Sequence, residues 1–159
     1  MKEKGFTLAE MVAVIAILMV LALISAPFIR GYIDDSYNMK AQAFMRQINE
    51  ARMNFEKDYP GVTVTGTFPS EYEKQDCDID AIYGDDGTSQ VSPEWLLNCN
   101  YLKFSSDLSG RYQFKLGSSA DACDAVTGDI VISMKGLSGN YEGKCAGINT
   151  NGELGKQKA

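Results

Sequence analysis

The sequence predicts an α+β chain: a long N-terminal α-helix, half membrane-spanning and half amphipathic, packed on a small antiparallel β-sheet with loops tied by disulfides. Three observations predict it. The run Met11–Ile29 carries no charged residue, an apolar stripe at helical spacing follows it, and beyond Pro60 the composition turns to Gly, Ser, Thr, Asp and Asn with short β-prone runs. Once the apolar segment is set aside, 159 residues leave room for one domain of ordinary size.

The apolar segment comes first. Only Ser25 and Pro27 interrupt it, and some 20 residues rising about 1.5 Å each cross a hydrocarbon core of roughly 30 Å. A cleaved secretory signal also begins with Lys residues, but its apolar core usually holds only about 7 to 15 residues. Here the run is longer, Pro27 directly follows the small residues Ser25 and Ala26, and the acidic Glu10 stands at the leading edge. Lys2 and Lys4 precede the run, so the positive-inside bias leaves the N-terminus in the cytoplasm and sends the rest outward. Cys77, Cys99, Cys123 and Cys145 all fall in the exported part, which suits an oxidising compartment.

The helical pattern continues past the membrane edge. Ile33, Tyr37, Ala41, Phe44, Ile48, Ala51, Phe55 and Tyr59 recur at steps of three and four, one face of an α-helix. Lys40, Arg46, Glu50, Arg52, Glu56 and Lys57 fill the other faces, and Pro60-Gly61 ends the pattern. A single helix from Phe6 to Asp58 would be roughly 80 Å long. Pro27 removes a backbone donor and Gly31 is a poor helix former, so a bend is expected there, either a plain kink or a functional hinge.

The remaining hundred or so residues must cover the apolar stripe. Val62–Thr67, Tyr112–Leu116 and Ile130–Met134 read as strands, separated by turn-rich stretches such as 84–87 and 138–140. Tyr101, Phe104, Tyr112 and Phe114 read as core packing rather than a binding surface, and Trp95 as packing a short helix or turn against the sheet.

Several function classes drop out. A net charge of −6 argues against a broad nucleic-acid grip, so no nucleic-acid partner is expected. The absence of histidine removes His metal sites and the usual Ser-His and Cys-His nucleophile pairs. Asp76, Asp78 and Asp80 are spaced like the first ligands of an EF-hand loop, but Ala81 stands where that loop needs Gly and Gly87 where it needs Glu. A solvated acidic loop is the better reading. No cofactor, no metal and no enzymatic activity are expected.

The opening Lys4-Gly5-Phe6-Thr7-Leu8-Ala9-Glu10-Met11 resembles the prepilin peptidase site of type IV pilins and the related pseudopilins of type II secretion. In that family a short basic leader ends in Gly, the mature chain begins with Phe or Met, and its fifth residue is Glu. Gly5, Phe6 and Glu10 stand in those places, directly before an apolar helix, and Pro27 matches a proline in its outer half. The family's more distal helix proline is missing, since Arg46-Gln47-Ile48 continues without interruption. The resemblance covers about the first fifty residues. It implies a leader at 1–5, a transmembrane and assembly helix at 6–30, an amphipathic half at 31–59 and a β-rich head at 60–159. It also implies cleavage between Gly5 and Phe6, N-methylation of Phe6, and assembly through Phe6 and Glu10.

A carboxylate in an apolar helix is normally paired, and the Phe6 amine of a neighbouring subunit would neutralise Glu10. The plainer reading is a carboxylate resting among lipid headgroups. The implied partners are copies of the same chain in a filament, minor pilins, a prepilin peptidase, an inner-membrane platform protein, a cytoplasmic assembly ATPase, and membrane lipid before assembly. The implied location is the inner membrane for the precursor and an extracellular pilus after assembly. Cys77 with Cys99 would close the irregular region after the helix, and Cys123 with Cys145 a C-terminal loop like one common in pilins. The nested pairing of Cys77 with Cys145 and Cys99 with Cys123 stands second.

Two other readings stay open. One is a type II secretion pseudopilin, whose major members hold the C-terminal loop with calcium. Between Cys123 and Cys145 the only carboxylates are Asp124, Asp129 and Glu142, without calcium-loop spacing, which favours the pilus. The other is a bitopic membrane protein whose outer domain binds a ligand and never polymerises.

Overall fold

The computed structural model describes residues 7–78, 82–83, 89–117 and 130–155. The chain divides into two compact units, Met1–Ser36 and Tyr37–Ala159. Helix α1, Leu8–Asp58, begins in the first and ends in the second.

In the first unit every described residue up to Arg30 is exposed within the chain. Leu8 is 83%, Leu23 77% and Phe28 75% exposed. A helix that is apolar on all sides is at rest only in an apolar surrounding, and this one is long and apolar enough to cross a membrane. Its one polar side chain between Met11 and Ile29 is satisfied locally: Ser25 Oγ donates to the Ala22 carbonyl at 3.2 Å. The helix runs without a break through both Pro27 and Gly31. A Cβ added at Gly31 would meet nothing within 4 Å, so packing does not demand glycine there.

In the second unit α1 turns one face inward. Ala41, Phe44, Ile48, Ala51 and Phe55 are buried as their spacing predicts, with Met45 and Asn38 beside them. Ile33, the first residue of the predicted stripe, lies in the other unit and is 42% exposed. A four-stranded antiparallel sheet in the order β2-β4-β5-β6 supplies the opposing layer. Its strands are Gly66–Thr67, Tyr112–Leu116, Ile130–Gly136 and Cys145–Asn149. Register pairs Phe114 with Met134, Leu116 with Ile132, and Met134 with Ala146. The alternation of the pleat therefore puts Tyr112, Phe114, Leu116, Ile132, Met134, Ala146 and Ile148 into one core. Phe44 ties helix to sheet, meeting Phe68 and Phe114 edge-on at centroid distances of 5.8 and 5.4 Å.

The predicted strand Val62–Thr67 is in fact two. Gly66 takes φ +109°, which breaks the run. The first piece, β1 (Val62–Val64), pairs in parallel with β3 (Ser89–Val91), outside the main sheet. The Val64 amide also donates to Glu56 Oε1 at 3.1 Å, anchoring β1 to the end of α1. Two short helices complete the unit, α2 at Glu94–Asn98 and α3 at Ser106–Ser109. Trp95 lies in α2 and packs partly buried against the core.

A 3-10 turn at Gly139–Tyr141 bridges β5 and β6. The Tyr141 carbonyl sits against Gly136 so closely that a Cβ there would lie 1.9 Å from its oxygen. Only glycine admits that approach.

Candidate functional site

Gly5 and Phe6 lie outside the described residues, as do Asp80, Ala81 and Cys123. The site is therefore built from Thr7 onward. Thr7 precedes the first helical residue, Leu8, and its carbonyl accepts the first turn's hydrogen bond from the Met11 amide at 3.2 Å. Three bonds then join Thr7 to Glu10. The Thr7 amide donates to Glu10 Oε2 at 2.8 Å, Thr7 Oγ1 donates to the same oxygen at 2.9 Å, and the Glu10 amide reaches Thr7 Oγ1 at 3.4 Å.

This is a capping box: side chain and backbone satisfy each other across one helical turn, using donors that a helix start leaves unpaired. Glu10 Oε1 takes no hydrogen bond among the described residues. The carboxylate thus closes its own helix with one oxygen and presents the other. Thr7 was not singled out from sequence, although Thr-x-x-Glu before an apolar run carries that signal.

Pro27 and Gly31, the expected hinge, both sit inside uninterrupted helix. In the head, Cys77 and Cys99 form a disulfide with Cα atoms 4.9 Å apart. Cys145 is buried on β6, and its expected pairing with Cys123 falls on a residue outside the described ones.

Residues 71–78 form a solvent-exposed acidic loop that is fastened along its length. Asn98, buried at the end of α2, accepts from the Tyr72 hydroxyl at 2.7 Å and from the Gln75 amide at 3.2 Å. Lys74 Nζ donates to Asn100 Oδ1 at 3.0 Å. With the disulfide, these bonds fasten residues 72–77 along the α2 end and leave Glu71, Glu73 and Asp76 exposed. Among the described residues no group of three or more His, Cys, Asp or Glu is placed to hold a metal.

The four aromatic residues divide. Tyr112 and Phe114 are buried; Tyr101 and Phe104 are partly buried, against Phe55 and Tyr72 respectively. The Tyr101 hydroxyl donates to Asp58 Oδ2 at 2.5 Å. Burial pushes its phenol well above the ordinary value, and the bond to the Asp58 carboxylate adds to the effect.

Residues 1–26 match the family described as the prokaryotic N-terminal methylation motif. That motif is the signature of type IV pilin and pseudopilin precursors. Together with the apolar helix that it enters at Leu8, the motif fits an inner-membrane precursor. No curated protein and no solved structure matches the chain.

Proposed function

We propose that this chain is a structural subunit of a type IV pilus, cut between Gly5 and Phe6, methylated at Phe6 and polymerised through its N-terminal helix. One observation carries the reading. The methylation motif at residues 1–26 runs into a helix whose described apolar side chains are all unburied as far as Arg30, while the same helix from Tyr37 onward turns one face into the head. Such a segment needs two apolar hosts in turn, lipid before assembly and neighbouring helices afterwards.

The boundaries follow the same division of labour: leader 1–5, assembly helix 6–30, amphipathic half 31–59 and head 60–159. Glu10 Oε1 is the atom available to a neighbour's Phe6 amine, which would neutralise a charge that the apolar filament centre disfavours. Pro27 and Gly31 give the helix a place to bend during assembly. Cys123 closes on Cys145, so the exported head is stapled twice. Covalent staples suit a subunit exposed outside the cell, which favours a surface pilus over a periplasmic pseudopilus. The partners are further copies and minor pilins, the prepilin peptidase and the inner-membrane platform protein.

The test is Glu10→Val in the producing cell. Processing should persist while filament yield collapses, because the carboxylate acts between subunits and not on the peptidase. Normal filament yield would overturn the charge pairing. Deleting the gene should remove or alter surface filaments with protein secretion intact, and the opposite outcome would favour the pseudopilin.

A further inference from the structure

The head carries two exposed charge sets of opposite sign that do not meet within one chain. The first lies in a groove of about 380 Å³ between α1 and the segment leading into α3, with Lys40 and Lys103 at its sides and Phe44 and Phe104 in its wall. Gln47, Ser105 and Asp107 also line it. Lys40 Nζ stands 5.1 Å from the Tyr37 ring centroid, and the Arg111 guanidinium carbon stands 4.1 Å from the same ring, which adds a third cation nearby. Among the described residues neither Lys40 nor Lys103 has a carboxylate within ion-pair distance, Asp107 included.

The second set is the ridge of Glu71, Glu73 and Asp76. Its backbone is fixed before any partner arrives, by Asn98, by the Lys74–Asn100 bond and by the Cys77–Cys99 disulfide. A prearranged ridge loses little freedom on docking. Tyr72 packs on Phe104 with centroids 5.7 Å apart, so ridge and groove share a neighbour, yet no ion pair joins them.

We propose that the Lys40–Lys103 groove receives the Glu71–Asp76 ridge of a second copy of this chain. The inference rests on the polymerising reading given above and adds a specific contact between heads. Identical subunits of net charge −6 repel one another. Setting a cationic groove against an acidic ridge removes part of that repulsion at the contact and fixes register. The two patches differ, so the contact is heterologous: each copy offers a ridge to one neighbour and a groove to another, and the arrangement repeats instead of closing as a twofold dimer.

A zero-length carbodiimide cross-link on intact cells carrying the full chain tests this, since it joins an amine to a carboxylate only where they touch. Covalent dimers should appear whose joined peptides contain Lys40 or Lys103 and Glu71, Glu73 or Asp76. The pair Lys40→Glu with Lys103→Glu should abolish those joined peptides, because it removes the reacting amines and sets like charges against the ridge. Adding Glu71→Lys with Glu73→Lys should restore the cross-link, because amine and carboxylate have then changed places. All four side chains are exposed, and recovery of the dimer in the fourfold variant also shows that the head still folds. Dimers joined only through other residues, or no recovery in the fourfold variant, would overturn the proposal. A cross-link that forms normally in cells that shed no filaments would count against the pilus reading and leave this contact standing.

Discussion

Removing the Cys77–Cys99 disulfide should loosen one segment of the head by a calculable amount. The bond closes a loop of sequence separation 22, and the chain-entropy relation gives about 11 cal/mol/K for such a loop, or about 3.4 kcal/mol at 25 °C. Cys77→Ser with Cys99→Ser is therefore expected to cost about 3 kcal/mol, and the Asn98 bonds to Tyr72 and Gln75 do not offset it, because they are absent from the unfolded chain that gains the entropy. The loss should concentrate in residues 71–78, since the α1 stripe packs on the sheet independently of them. Chemical denaturation of the full chain in detergent gives the magnitude, and limited proteolysis gives the location. New cleavage between Glu71 and Asp78 with α1 protected is the expected pattern. A cost below about 0.5 kcal/mol with no new cleavage would mean instead that the unfolded chain is already restricted there without the sulfurs.

Gly136→Ala should destabilise the head by about 1 to 3 kcal/mol, because the new Cβ would collide with the Tyr141 carbonyl and the turn must shift; thermal unfolding reads this, and an unchanged midpoint would contradict the observed approach. Tyr101→Phe tests the raised phenol. Since the folded state holds that proton more tightly, Tyr101 contributes stability that is whole below the ordinary phenol value of 10.0 and is lost as pH rises toward its folded value. The variant should be less stable near neutral pH, and its alkaline loss of stability should be shallower by up to one proton's worth. An equal slope in both proteins would show that the hydroxyl is not held.

The legible part of this fold was periodic. Ala41, Phe44, Ile48, Ala51 and Phe55 repeat at helical spacing because each must meet the same sheet, and Tyr112 and Phe114 alternate because a pleat sends alternate side chains to one face. What escaped was long-range or conformational. Nothing local in Val62–Val64 announces a parallel partner at Ser89–Val91, because strand direction is set by the course of the intervening chain. Gly66 split a run that composition alone presents as continuous. Met45 is fully buried although it falls just beside the predicted stripe, since the buried arc is wider than a single row of positions. The role of Asn98 could not be foreseen, for its clients Tyr72 and Gln75 lie more than twenty residues away.

At the N-terminus the balance differs. The opening motif was readable because it is linear, and residues 1–26 match the prokaryotic N-terminal methylation motif. The bonds between Thr7 and Glu10 are also legible, since Thr and Glu three residues apart before an apolar run form a capping box. The two roles are compatible in geometry, since both Thr7 donors use Oε2.

Mass analysis of filaments sheared from the surface of producing cells decides whether this chain is a pilus subunit. The filaments should contain this polypeptide, beginning at Phe6 with one added methyl group and retaining the whole apolar helix. Sheared filaments without it, or an exported chain that begins near Pro27, would show that it is not.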